Sequence, residues 1–234
     1  KAIVQVVRCF PDPAVIHVDA SVDPIRDLET IKTELAFKDV ETVDRRLSSI
    51  EAEVRGGTKG AKENKEVLES VKKALLANQY LTAYAHEPVV QELQLLTAKK
   101  QVVLLNGAEN DATEGLRDYI KTLGADFIVM DLSKEMEIAP LIKKSYEVLD
   151  LISFLTTGED ETRAWTIERG WKAPQAAGTI HTDFDKNFIR AEVVAYEKLV
   201  GAGGWNQAKQ KGWLRLEGKD YVVQDGDVMV IRHG

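Results

Sequence analysis

Apolar residues follow three rhythms along this chain, and each change of rhythm marks a part. Ile3, Val4, Val6 and Val7 form a β-branched run that ends at Phe10-Pro11-Asp12-Pro13, where two prolines cannot donate to a ladder. A strand is predicted over residues 1–10. A buried parallel strand needs neighbours on both edges, and this one opens the chain with no methionine and no signal peptide, so further sequence is expected before Lys1. Asp23-Pro24 then reads as an N-cap with proline at the first helical position, followed by Ile25, Leu28, Ile31 and Leu35 on one face. Val40, Val43, Leu47, Ile50 and Val54 continue at alternating spacings of three and four, the seam of a coiled pair, until Arg55-Gly56-Gly57-Thr58-Lys59-Gly60 breaks it. Residues 62–77 resume with Val67, Leu68, Val71 and Leu75, predicting an antiparallel helical hairpin that is either a solvated spacer or a partner-binding arm.

A βαβ rhythm follows: a buried strand at Gln101–Leu105, a helix over 112–123 stopped by Gly124, a strand at Asp126–Met130 and a helix over 138–150. Such units place ligands at the carboxyl ends of the strands, here Phe10, Asn106 and Asp131. After Leu151 the pattern changes to short glycine-punctuated strands at 162–167, 187–194, 213–216, 220–223 and 228–232, with a short helix from 195 to 200. A separate α+β domain of about 80 residues is the natural reading.

Composition narrows the function. A formal net charge of −7 over 234 residues argues against wholesale electrostatic binding to nucleic acid and against a DNA-binding role. The single cysteine, Cys9, cannot form an intrachain disulfide, and no apolar run approaches the ~20 residues that span a bilayer. A cytoplasmic protein without membrane contact is expected.

Three stretches carry candidate chemistry. His181, Asp183 and Asp185 alternate and would share one face of an extended segment, as a metal or acid–base site would require. His17, His86 and His233 lie in no ligand-type spacing, so local backbone capping outweighs a metal hydrolase. Asn106-Gly107-Ala108-Glu109 is a polar loop at the end of a buried strand, placed to meet the edge of a purine. In GTP-binding proteins the comparable loop is N-K-x-D, whose aspartate accepts the two N–H groups of guanine. Gly107 and Glu109 in place of lysine and aspartate weaken the case for guanine and leave Asn106 to pair with adenine. No G-x-x-x-x-G-K-[ST] phosphate loop occurs in these residues, and Cys9, flanked by Val7 and Phe10, reads as packing.

The stretches Val7-Arg8-Cys9-Phe10, His17-Val18, Ser21–Asp27, Leu96-Thr97-Ala98-Lys99 and Asn106-x-x-Glu109 resemble, in order, the YchF or Obg-like ATPase family. So do Arg163–Ile167, Ala173–Gly178, His181-Thr182-Asp183-Phe184 and Gly218–Asp227. The resemblance implies an α/β fold in three parts: a partial P-loop NTPase (G-domain-like) parallel sheet at 1–21 and 98–151, a helical coiled-coil hairpin insertion at 22–97, and a C-terminal α+β β-grasp (TGS) domain at 152–234. It implies an ATP-binding, ATP-hydrolysing switch that associates with ribosomes, through the large subunit, in translation. Asn106, Gly107 and Glu109 match the base-recognition loop, and Phe10 is expected either to wall the base or to pack in the core. The family's phosphate loop and Mg²⁺ ligands would precede Lys1, which leaves hydrolysis by this chain open. The alternative is a non-hydrolysing RNA- or protein-binding adaptor using the helical arm and TGS domain. Residues 152–234 hold 11 Lys plus Arg against 12 Asp plus Glu, so only Lys209, Lys211 and Arg215, near Trp205 and Trp213, mark a local RNA-contact candidate. Met130–Lys134 matches the family poorly and receives no role. The connection from Ala83 to Leu93 and the loop after Asn106 are short for the family.

Overall fold

The structure is a computed structural model that describes every residue except 1, 18, 20, 135–137, 159 and 160, so Val18 of the His17-Val18 pair lies outside the described residues. The chain divides into two compact units, residues 1–148 and 149–234.

In the first unit, β1 (Ala2–Arg8), β2 (Lys100–Asn106) and β3 (Asp126–Met130) form a parallel sheet in that order. Among the described residues β1 pairs only with β2, so it is an edge strand here, and Val4 and Val6 are exposed on one of its faces. The opposite face is the core: Val7, Val103 and Leu105 pack with Leu28, Leu116 and Ile120. Val102 to Leu105 are all buried, as a strand covered on both faces requires. The β2–β3 crossover is α4 (Glu114–Thr122), capped by Thr113 and ended at Gly124 with φ +67. After β3 comes α5 (Ala139–Leu149), whose Lys144 bonds Asp126 at 3.1 Å.

The long β1–β2 connection holds α1 (Pro24–Arg55), α2 (Ala61–Leu76) and the short α3 (Pro88–Leu93). Asp23 caps α1 by accepting the Arg26 N–H, with proline in the first turn. At 32 residues α1 is about 48 Å long, and only its start, through Leu28, meets the sheet core. Beyond that, Val43 and Ile50 are fully buried against Leu68 and Val71, with Val40, Leu47 and Val54 half-buried beside them. The expected seam is therefore the one that packs. Glu51 pairs with Lys65 and Asp44 with Lys72, and since one number falls as the other rises, α1 and α2 run antiparallel.

The second unit is a five-stranded mixed sheet in the order β5-β4-β8-β6-β7, from β4 (Leu151–Thr157), β5 (Thr162–Glu168), β6 (Phe188–Ala195), β7 (Arg215–Glu217) and β8 (Asp227–His233). Strand β4 lies parallel to β8, and the other pairings are antiparallel. One face carries α6 (Ala173–Ile180) and α7 (Thr182–Lys186), with Phe154, Ile167 and Met229 buried beneath them. The other carries α8 (Tyr196–Ala202) and α9 (Trp205–Gln210) over Val194 and Val228.

The second unit departs from the sequence pattern in several places. Strand β4 was unforeseen, and residues 220–223 form only an isolated bridge between Lys172 and Val222. Helix α6 lies in Ala173-Pro174-Gln175-Ala176-Ala177-Gly178, a stretch for which the hydrophobic pattern predicts no element. The proline occupies the first turn, where its missing N–H costs nothing, and Gly178 leaves room for Asp185, whose Cβ would stand 3.1 Å from a Cβ built there. His181, Asp183 and Asp185 do not share the face of an extended segment, because residues 182–186 are helical and alternate residues of a helix point about 200° apart. His181 is instead the N-cap, its Nδ1 accepting the Asp183 N–H at 3.3 Å. Finally, Trp205 and Trp213 belong to the packed cluster under α8 and α9, and Lys211 lies 4.6 Å from the Trp213 ring centroid. The indoles pack against this cluster while staying partly exposed.

Candidate functional site

The carboxyl ends of the parallel strands bring Arg8, Asn106 and Met130 into one row, since Arg8 is in register with Asn106 and Asn106 with Met130. Every N–H and C=O just beyond a strand end must find a new partner, and here these partners build the site. The Cys9 N–H donates to the Asn106 carbonyl at 2.9 Å, and the Gly107 N–H donates to the Met130 carbonyl at 3.2 Å. Asn106 Oδ1 accepts the Leu132 N–H at 3.0 Å, tying the loop after β2 to the loop after β3. At the start of the second loop Asp131 pairs with Lys134 at 2.6 Å and accepts from Ser133, and these bonds hold its carboxyl down at about 2.

Residues 107–111 turn tightly. Asp111 Oδ2 accepts the Ala108 N–H at 2.8 Å while the Ala108 carbonyl accepts the Asp111 N–H at 2.9 Å. A Cβ at Gly107 would lie 3.0 Å from Asp111 Oδ2 and 3.2 Å from the Cβ of Cys9, so a side chain there must displace one of them. Glu109, three residues after Asn106, is exposed and joined in a short ion pair to Arg117 of α4.

Phe10 follows β1 under the Arg8 guanidinium, 4.7 Å from the ring centroid. Arg8 also donates to the carbonyls of Phe10 (3.0 Å), Asp12 (2.8 Å) and Val15 (2.7 Å), so one arginine folds the segment beyond β1. The sequence reading singled out Phe10 and overlooked this clamp, whose only signal was a lone arginine at a strand end. His17 closes the same segment onto α1: its Nδ1 accepts the Asp19 N–H, so Nε2 carries the proton and donates to Asp27 at 2.9 Å. His17, Asp19 and Asp27 thus cluster without any ligand-type spacing, with Arg26 ion-paired to both carboxylates. The bound Nε2–H and the arginine make this a charge network that docks the loop rather than a set of cation ligands.

A cavity of about 430 Å³ lies between that segment and the loop after β2, lined by Cys9, Pro11, Pro24, Asp111 and Thr113 among others. Burial, reinforced by Asp111 and Asp27, pushes the Cys9 thiol up to about 11. It stays protonated at neutral pH and is a packing group rather than a nucleophile.

A parallel sheet with a polar, backbone-anchored loop at the carboxyl ends of its strands is the architecture of a nucleotide-binding α/β protein. A family profile described as YchF-GTPase_C, protein of unknown function (DUF933), matches residues 151–234. The chain is 38% identical to the "Ribosome-binding ATPase YchF" of Bacillus subtilis, covering 99% of this chain and 72% of that protein, and 33% identical to the "Obg-like ATPase 1" of Danio rerio, covering 99% and 68%. The solved YchF GTPase of Schizosaccharomyces pombe superposes with a TM-score of 0.76 at 34% identity, over 99% of this chain and 72% of that one. The chain belongs to the YchF family of Obg-like ATPases. The Bacillus alignment runs over 265 positions against the 234 residues here, so it includes positions of the relative that this chain does not have.

Proposed function

We propose that this chain serves an ATP-binding, ATP-hydrolysing regulatory protein of the cytoplasm that associates with the ribosome in translation. In this reading the first unit is the base-recognition side of a G-domain-like fold, residues 22–97 form an arm inserted into it, and the second unit is a β-grasp TGS domain. The observation that carries the nucleotide half is Asn106. Its Oδ1 uses one lone pair on the Leu132 N–H, which holds the side chain at the strand ends and leaves the second lone pair and the amide hydrogens for a base. An amide in that position pairs with the amino group and ring nitrogen of adenine. Phe10, pinned under Arg8, is the apolar wall of the same site. None of these residues offers a hard-oxygen cage for Mg²⁺, which would accompany the triphosphate, and no step is derived through it.

Ribosome association rests on the names of the relatives and on two surfaces suited to contact, the arm and the second unit. The exposed Lys209 and Lys211 are available for RNA phosphates beside the partly exposed Trp205 and Trp213.

Two measurements test the reading. Amide NMR shifts of the isotope-labelled chain should respond at residues 106–109 to adenosine and not to guanosine, nucleosides being chosen so that no phosphate contact is needed. Purified ribosomes should retain the chain on sedimentation in low salt and release it as salt rises, because charge–charge contacts are screened. A chain left entirely in the supernatant at low salt would remove the ribosomal half of the proposal.

A further inference from the structure

The carboxylate that a guanine-reading loop would aim at the base is drawn away from it. Glu109 stands three residues after Asn106, the place from which an acid can accept the two adjacent N–H groups of guanine, yet it is ion-paired to Arg117. Arg117 is fixed independently of that acid. Its Nε donates to the Ala112 carbonyl at 2.9 Å, its Nη2 donates to the Glu109 carbonyl at 3.1 Å, and its guanidinium stands 5.9 Å from the Phe127 ring centroid. The side chain of Arg117 is 29% exposed and that of Glu109 70%, so the mobile partner is the acid and the anchor is the arginine.

We propose that Arg117 is a positioning residue for base selection: by holding the Glu109 carboxylate on α4, it withholds from the base loop the acceptor pair that guanine needs and leaves the Asn106 amide, which suits adenine. The capture runs from Nη2 to Oε1 and is reinforced by the bond from the same Nη2 to the Glu109 carbonyl, so the charged hydrogen bond fixes the direction of the acid as well as its charge. The proposal rests on the reading of Asn106 as a base-recognition residue.

The test uses the full chain and the same amide shifts at residues 106–109. In Arg117→Gln, guanosine affinity should rise at least about tenfold, the scale of one good bidentate contact to a base, while adenosine affinity changes much less. Adding Glu109→Gln should abolish that gain, since one of the two side-by-side acceptor oxygens becomes an N–H₂ group that faces a donor of guanine. Arg117→Met, which keeps an apolar stem against Phe127, gives the same readout if the glutamine variant loses its fold. A purely structural arginine would instead weaken both nucleosides together. Unchanged guanosine affinity in both Arg117 variants, or a gain that survives Glu109→Gln, overturns the inference alone. An unaltered chain that does not respond to adenosine overturns the base-site reading and the inference with it.

Discussion

Asp39→Ala is expected to lower the stability of the first unit by about 4 kcal/mol. Asp39 lies on α1 and is only 2% exposed, a position at which an unpaired charge would not survive. Its Oδ1 accepts the Leu96 N–H at 2.8 Å, and its Oδ2 accepts both the Thr97 N–H and the Thr97 hydroxyl at 2.7 Å. Thr97 in turn accepts the Leu81 N–H through its carbonyl, so one carboxylate organises the return of the chain from the helical arm into β2. Alanine leaves three donors without their acceptor, at roughly 1–3 kcal/mol for each that stays dry. An amide is not an adequate substitute for the acid: in Asp39→Asn one oxygen becomes an N–H₂ group pointing at donors. The measurement is urea unfolding followed by far-UV circular dichroism, which the long helices of the arm dominate. All four tryptophans lie in residues 149–234, so tryptophan fluorescence reports the other unit and should keep its midpoint. A loss below about 1 kcal/mol would mean that water replaces Asp39 at little cost. Thr97→Val should cost about 1 kcal/mol alone and less in the Asp39→Ala background, because the two share a bond.

Asp227→Ala should have the complementary effect, lowering the fluorescence-monitored stability of the second unit by about 3 kcal/mol while the helical signal of the arm stays in place. Asp227 opens β8 and is buried, and its Oδ2 accepts from the Tyr221 hydroxyl at 2.5 Å and the Gln224 N–H at 2.9 Å. Its Oδ1 accepts from Arg215 Nη2 at 3.1 Å, and Arg215 also reaches the Tyr221 oxygen. Removing the acid strands a phenol, a backbone N–H and a partly buried guanidinium; Arg215 can turn toward water, which keeps the cost below that of a fully buried pair. Burial and the bond to Asp227 push the Tyr221 hydroxyl up to about 12, so the folded state holds that proton more tightly than the unfolded chain does. The stabilisation is complete below about pH 10 and is lost as pH rises through the folded value, which predicts an alkaline unfolding step that Tyr221→Phe removes. Unfolding midpoints between about pH 9 and 12, read from tryptophan fluorescence, check this; a step that persists in Tyr221→Phe would assign it to another group.

Much of this architecture was legible in periodicity alone. The three–four spacing from Val40 to Val54 identified the buried stripe of α1, because a helix that packs on one partner must place its apolar groups on one face. The run Val102–Leu105 announced a strand covered on both sides, and Asp23-Pro24 and Gly124 marked helix ends because their local chemistry suits those positions. The loop Asn106-x-x-Glu109 was placed at a strand end by the same logic. Periodicity fails where elements are short. Helices α6, α7 and α9 have eight, five and six residues, too few turns for a repeat to show, and alternation at His181, Asp183 and Asp185 therefore suggested an extended face where a helical turn exists.

The side-chain pairings that hold the loops leave no periodic trace in the sequence, whether their partners are near or far. Arg117 meets Glu109 across the turn into α4, Arg8 gathers three carbonyls, and Asp39 caps a segment 57 positions away in sequence. Local sequence determined which stretches become helix and strand and where each must stop, since propensity, capping and burial period act within a few turns. Only the tertiary structure decided which charged side chains face one another, because those pairings depend on where separate elements dock, and docking is set by the fit of whole buried faces rather than by neighbours in the chain.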